Sequence, residues 1–206
     1  MTDYQDYGFP DEGLSHAHQY LLPALLPMLD KQQKILDLGC GNGALAIKLI
    51  GCGYNVYGMD ASEEGIKIAR TRYPNQFFVQ NLSEKKLPTG LDNTVFSTLI
   101  STEVIEHLYD PKEFIAFCKH ILSNQKHNTL IISTPYHGYL KNLALAIFNQ
   151  SDKHYNPLWS GGHIKFWSRK TLGNLLESFG FEIVEFKGCG RFPFFWKSML
   201  IKATLK

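Results

Sequence analysis

Several things are scarce in this chain of 206 residues, and each scarcity narrows its class. The four cysteines, Cys40, Cys52, Cys118 and Cys189, form no C-x-x-C pair. That disfavours a zinc ribbon or a disulfide framework and points to a reducing, cytoplasmic setting. Charge of one sign never accumulates: Lys and Arg total 21 against 19 Asp and Glu, a formal net charge of +2. This balance carries no electrostatic footprint for strong nucleic-acid binding and leaves a small molecule as the default partner. No apolar run reaches the length of a membrane-spanning helix, and residues 1–11 are polar and aromatic, unlike a secretory signal. What is present suffices for a core. Hydrophobic residues make up 44% and charged residues 19%, so residues 1–206 read as one domain.

Short apolar runs alternate with helix-like stretches. Lys34–Leu38, Asn55–Met59, Phe77–Val79, Thr94–Ile100, Thr129–Ser133, Phe181–Phe186 and Met199–Ala203 read as strands. Between them, helices are expected over Ala44–Ile50, from a Ser62 cap to Arg72, over Pro111–Leu122 with proline at the first position, and from a Ser168 cap to Phe179. This order predicts an α/β fold with a doubly wound, mostly parallel sheet and helices on both faces. Residues 1–32 precede it as a helical cover, which Pro23 and Pro27 should kink or break between Leu14 and Leu29. Residues 136–163 form a long connection, expected as a lid-like insertion over one end of the sheet.

The first strand-to-helix turn reads Asp37-Leu38-Gly39-Cys40-Gly41-Asn42-Gly43-Ala44. Missing side chains at Gly39 and Gly41 allow close backbone approach to a ligand, and Gly39-x-Gly41-x-x-Ala44 also fits a dinucleotide fingerprint. Asp37 argues against a doubly anionic pyrophosphate and for a cationic ligand such as S-adenosylmethionine, with its ammonium and sulfonium. Asp60, at the end of the second strand, could accept from two ribose hydroxyls. Past the third strand, the Asn81 side-chain oxygen could read the adenine amino group and Leu82 could supply a backbone donor. Each also has an ordinary structural use: Asp37 as a buried acid, Asp60 as a turn residue, Asn81 as a loop cap. Three polar groups at successive strand ends nonetheless point together to a cofactor crevice.

The glycine segment resembles the first motif of class I S-adenosylmethionine-dependent methyltransferases, and Asp60 matches their second-strand acid. The resemblance runs from Lys34 to the C-terminus and implies a seven-stranded sheet of order 3-2-1-4-5-7-6 with the last strand antiparallel. It implies cofactor contacts at Asp37, Gly39, Cys40, Gly41, Asp60, Ala61, Asn81, Leu82 and Ser101. The motif says nothing of the methyl acceptor.

After the fourth strand comes Glu103-Val104-Ile105-Glu106-His107. One helical turn would set Glu103, Glu106 and His107 on a single face, a donor set for Mg, Mn or Zn, with His163 as a distant fourth ligand ahead of His154. Such an ion would hold acceptor oxygens and generate an oxyanion nucleophile. Equally, His107 could act directly as general base, or only shape the pocket, and Glu103 could contact the cofactor instead. The segment resembles two branches of the family. Ubiquinone-biosynthesis O-methyltransferases carry Glu-x-x-Glu-His here and a later Gly-x-His-x-x-x-Phe; Gly161-Gly162-His163-Ile164-Lys165-Phe166 is one residue shorter between His and Phe. Small-RNA 2′-O-methyltransferases share the turn and a downstream histidine, but imply a basic strand-binding surface that +2 does not supply.

Leu140, Leu143, Ala144, Ile147 and Phe148 recur at helical spacing. They are expected to pack on the sheet, the alternative being an amphipathic lid in contact with a membrane surface. Tyr136, His154, Tyr155 and Trp159 could wall a planar acceptor or pack the lid. Phe192, Phe194, Phe195 and Trp196 read as core and Arg191 as a solvated charge. Tyr4, Tyr7, Phe9, His16, His18 and Tyr20 fold over the cofactor only by resemblance. The reading is therefore an S-adenosylmethionine-dependent O-methyltransferase of a small acceptor. Its rivals are a nicotinamide oxidoreductase, for which no Tyr-x-x-x-Lys pair is present, and a non-catalytic cofactor-binding module.

Overall fold

The structure is a computed structural model that describes residues 13–123 and 128–206. Seven strands form one sheet in the order β3-β2-β1-β4-β5-β7-β6: β1 Lys34–Leu38, β2 Asn55–Asp60, β3 Phe77–Val79, β4 Thr98–Thr102, β5 Thr129–Pro135, β6 Phe181–Cys189 and β7 Ser198–Leu205. The first five pair in parallel, whereas β7 runs antiparallel to both neighbours. A parallel strand with helices on both faces must be apolar on both sides, and Ile35, Leu36 and Leu38 of β1 are all fully buried.

Alternation along the strands separates two cores. Leu36, Leu99, Leu130 and Ile201 face α4 (Pro111–Leu122) and α7 (Arg169–Ser178). Ile35, Ile100, Ile131 and Leu200 face α1 (His16–Leu25), α2 (Ala44–Gly51) and α3 (Glu63–Arg70). The expected starts hold: Ser62 accepts from Gly65 N, Asp110 from Lys112 N and Glu113 N before Pro111, and Ser168 forms a capping box with Thr171. Pro23 lies within α1, and the helix gives way at Leu26 to a 3₁₀ turn over Leu26–Met28 that contains Pro27.

Three expectations change. β4 starts at Thr98, not Thr94, because its neighbours only begin at Lys34 and Thr129; Thr94 N instead closes a turn on Leu91 O. β6 continues past Phe186 to Cys189, held by pairing with β7 along its whole length. The long connection folds into α5 (Tyr139–Ile147) and α6 (Ser151–Tyr155), yet the apolar stripe of α5 does not pack on the sheet. Ile147 is 67% exposed and Phe148 71%, while Lys141 is the buried residue of that helix. No helix among the described residues is long and apolar enough to cross a membrane. Tyr4, Tyr7 and Phe9 lie outside the described residues.

Candidate functional site

Parallel strands deliver their carboxyl ends to one edge of the sheet, and the order reverses between β1 and β4, the switch point at which sheets of this kind bind ligands. The glycine turn sits at this point. Gly39 and Cys40 donate their N–H groups to Met59 O at 2.9 and 3.1 Å, and Gly39, Gly41 and Gly43 all have positive φ. A Cβ on Gly39 would stand 2.6 Å from Val104 Cγ2, so the turn after β1 packs directly on the segment after β4. A Cβ on Gly43 would meet Ala69 Cβ at 2.6 Å and the Phe77 ring at 2.9 Å, so this third glycine serves close packing of α2 on α3 and β3.

Asp60 crosses from β2 to that turn: Oδ2 accepts from Gly41 N and Oδ1 from Ser62 N, both at 2.8 Å. Ribose hydroxyls at Asp60 would share an already oriented carboxylate, which offers about four acceptor positions. Asp37 is 1% exposed, and its Oδ1 is buried with no hydrogen-bond partner. Burial, with the nearby Asp60 charge, pushes its pKa up to about 8. An orphaned acid whose ionised form is disfavoured is suited to a cation that restores the missing partner. The remaining residues of the expected cofactor set are less direct. Asn81 Oδ1 accepts from Ser83 N at 2.9 Å, its loop-cap use, which leaves one lone pair of that oxygen for a second donor. Leu82 packs against the core, and Ser101 Oγ donates to Leu38 O at 2.9 Å, tying β4 to the end of β1. Cys40 is buried beside Gly58, and Ala61 is half-buried at the bend after β2.

The Glu-Glu-His segment is not one helical turn. Glu103 has φ of 55°, outside the 3₁₀ turn of Ile105–His107, and its carboxylate points elsewhere. Ser133 Oγ and Ser198 Oγ donate to it at 2.8 and 3.1 Å, and Tyr20 OH bonds Ser198 at 3.0 Å. Glu103 thus links α1, β5 and β7. The expected four-residue metal set reduces to three: Glu106, His107 and His163 each offer a ligand atom, all within 4.8 Å of one another. Glu106 is 1% exposed, and burial followed by the Glu103 charge raises its pKa well above the usual carboxylate range, against opposing hydrogen bonds from its own backbone and Thr134. The Glu106 carbonyl accepts from Ile164 N and Lys165 N, which fastens the chain after His163 to the turn.

His107 Nδ1 lies 3.0 Å from Gly161 O, and a carbonyl only accepts, so Nδ1 carries the proton and Nε2 is the basic nitrogen. Burial lowers the His107 pKa against opposing backbone bonds from Gly161 and Gly162, and lowers that of His163 to about 4. The His107 ring meets His163 and Trp159 edge-on at 4.9 and 5.9 Å. His154 lies instead against His137 and Tyr155.

Contacts that spacing alone does not show complete the edge. His18 Nε2 bonds Thr102 Oγ1 at 3.3 Å, bringing α1 over the end of β4, and burial lowers its pKa to about 4. Lys141 Nζ donates to Tyr136 O at 2.7 Å, anchoring α5 to the end of β5, with its pKa lowered to about 8 by burial and then the Arg191 charge. A single lysine in an otherwise apolar helical segment, on a face away from the apolar stripe, was the sequence signal for that anchor. Trp196 packs on Tyr136 and Phe186, whereas Phe192 and Phe194 are exposed rather than core.

The chain is similar to known proteins. A ubiquinone biosynthesis O-methyltransferase of Dinoroseobacter shibae is 30% identical over 77% of the chain and 63% of its own length. The mitochondrial ubiquinone biosynthesis O-methyltransferase of Homo sapiens is 29% identical over 78% of the chain and 44% of its own length. The chain therefore spans less than two thirds of either relative. The crystal structure of magnesium protoporphyrin IX methyltransferase from Synechocystis with bound SAH superposes with a TM-score of 0.61 at 25% identity, covering 90% of the chain and 79% of the other. The family model described as a methyltransferase domain matches residues 11–186. With this match across most of its length, the chain belongs to the methyltransferase domain family.

Proposed function

We propose that the protein is an S-adenosylmethionine-dependent methyltransferase, acting on an oxygen of a small-molecule acceptor. One observation carries the reading: the Asp37–Gly43 turn and the Glu106–His107–His163 group meet at the carboxyl ends of β1 and β4, with Val104 packed on Gly39 between them. The cofactor supplies the electrophilic methyl group when bound. Asp37, Gly39, Gly41 and Asp60 hold it, in an assignment supported by the orphaned Asp37 oxygen and the positive-φ turn. Residues 1–206 then form one domain, with 1–32 as cover and 136–163 as lid, and catalysis consists largely of aligning the acceptor oxygen with the methyl group while excluding water.

Acceptor activation falls to the three-residue group. Glu106, His107 and His163 fit a divalent cation: a buried carboxylate whose ionised form burial and Glu103 disfavour would gain a counter-charge, and the Gly161 carbonyl holds the His107 tautomer that presents Nε2. One carboxylate and two imidazoles suit Zn or Mn better than Mg. Such an ion would lower the pKa of an acceptor hydroxyl. His107 Nε2 can equally take the hydroxyl proton itself, since burial shifts the imidazole toward its neutral form.

The O-methyltransferase relatives support an oxygen acceptor, and the near-neutral net charge of the chain supports a small molecule over a nucleic acid. The test is methyl transfer from labelled S-adenosylmethionine to a panel of phenols, with calorimetry of cofactor binding alongside. His107→Ala is expected to lower turnover at least tenfold with cofactor affinity kept. Normal turnover in that variant removes His107 from the chemistry, and failure of the wild type to bind the cofactor overturns the whole reading.

A further inference from the structure

Beyond the ends of β5 and β7, two cations come together that form no ion pair among the described residues. The register aligns Pro135 with Ser198 and Ser198 with Cys189, so residues 190–197 form a hairpin loop beside Tyr136. Its neck is closed. Lys197 N donates to Cys189 O at 2.9 Å, Tyr136 N donates to Lys197 O at 3.0 Å, and a Cβ on Gly190, at φ of 88°, would stand 3.0 Å from Lys197 Cβ. Arg191, next in the loop, is therefore exposed on a fixed frame. Lys141 meets the same frame from α5: its Nζ donates to Tyr136 O at 2.7 Å and reaches Lys197 O at 3.5 Å, and the residue is 7% exposed. A buried ammonium is ordinarily paired with an acid. Here its bonds go to carbonyls, and Glu103, the acid whose charge reaches it, is held by Ser133 and Ser198. The Arg191 charge acts on Lys141, and both act on His154, whose pKa is lowered by burial and then by these two charges.

We propose that Arg191, His154 and Lys141 form a binding site for an oxyanion, a carboxylate or phosphate group carried by the methyl acceptor. Alone on a loop, Arg191 would be an ordinary solvated charge. Held over a buried lysine that lacks an ion pair, it adds to a positive potential that water only partly screens. The guanidinium offers parallel N–H donors that match two oxygens of one anion, and the exposed His154 ring adds a further donor. Lys141 needs no contact with the ligand; it acts from beneath, and the anion supplies the counter-charge that the fold withholds from it. Two cations suffice for one oxyanion, whereas a nucleic-acid strand needs a track of them.

The position gives the anion its role, and this step rests on the methyltransferase reading. Along the sheet edge the glycine turn follows β1, the Glu106–His107–His163 group follows β4, and the cations follow β5 and β7. The Lys141 charge reaches His163 as well as His154, so the site adjoins the reacting group. It lies on the side away from the glycine turn, so a cofactor held there leaves it open. Two strand spacings separate β4 from β7, roughly 10 Å. Arg191 and His154 thus select acceptors whose oxyanion stands about that far from the reacting oxygen.

The experiment titrates the full chain with butyrate, with monobutyl phosphate and with uncharged butyramide, following backbone amide resonances, with and without S-adenosylhomocysteine. The anions are expected to shift the amides of Lys141, His154 and Arg191 saturably and to bind about tenfold tighter than the amide, the yield of charge-assisted hydrogen bonds. The tighter of the two anions tells a carboxylate from a phosphate. Arg191→Gln, at an exposed loop position, should bring both anions to the butyramide affinity. Equal affinity for anion and amide, shifts confined to other residues, or an undiminished preference in Arg191→Gln overturns the proposal. Loss of anion binding when S-adenosylhomocysteine is added overturns it too, by assigning the cations to the cofactor carboxylate. Cofactor calorimetry on the same sample keeps the readings apart. Anion binding in a chain that binds no cofactor would sink the methyltransferase role alone, and cofactor binding without anion preference would sink the oxyanion site alone.

Discussion

Asp37 provides the sharpest quantitative test. In the protein as described here the carboxyl is fully buried, one oxygen lacks a partner, and its pKa stands at about 8. A bound cation beside it favours the ionised form and returns the pKa toward the ordinary carboxylate range. Cofactor binding below pH 8 must then expel a proton from Asp37. At pH 7 about one molecule in eleven is already ionised, whereas at pH 9 about nine in ten are. The affinity penalty between these pH values is roughly tenfold, or about 1.4 kcal/mol. The cofactor's own α-amino group titrates in the same range, so wild type alone cannot report this penalty. Asp37→Asn isolates it: the variant keeps the shape, loses the charge and retains only the ligand's own pH dependence. The readout is the ratio of wild-type to variant affinity by calorimetry from pH 6 to 9, in buffers of differing ionisation enthalpy to count protons. That ratio should rise about tenfold from pH 7 to 9, with proton release greatest on the acid side. A flat ratio with no released proton refutes both the raised pKa and the contact.

The same acid governs stability in the opposite sense. Its folded pKa is raised above the unfolded value of 3.8, so the folded state binds the extra proton between those values and ligand-free stability falls as pH climbs from about 4 to 8. Asp37→Asn should remove that component, and thermal melts at pH 5 and pH 8.5 check it by the narrowing of their difference. Gly43→Ala places a Cβ 2.6 Å from Ala69 Cβ at a φ of 73°, and should cost about 1–3 kcal/mol in urea denaturation, whereas Gly51→Ala, with nothing within 4 Å, should cost little. Chelation followed by elemental analysis tests the cation: retained activity in metal-stripped protein retires the ion in favour of His107 as base. If the ion is present, His163→Ala should reduce its occupancy more than Glu103→Gln does, because Glu103 is turned to Ser133 and Ser198.

Much of the molecule follows from local rules that survive without tertiary context. Strands β1, β2, β3 and β5 announce themselves as short apolar runs, and Ser62, Asp110–Pro111 and Ser168 begin helices wherever they precede such a pattern. The glycine turn is legible because positive φ and close approach leave few alternatives to glycine. The start of β4 was not, since a central strand begins where its neighbours allow. Helical spacing placed Glu103 with Glu106 and His107, but a left-handed residue at 103 separates them, and only the serines of β5 and β7 determine where that carboxylate goes. The apolar stripe of α5 reads identically whether it meets a sheet or solvent, and the Lys141 bond to the end of β5 decides the matter. Charge is the last such case. The sequence shows an aspartate at 37, but only the tertiary structure buries it with one oxygen unpartnered and so raises its pKa to about 8.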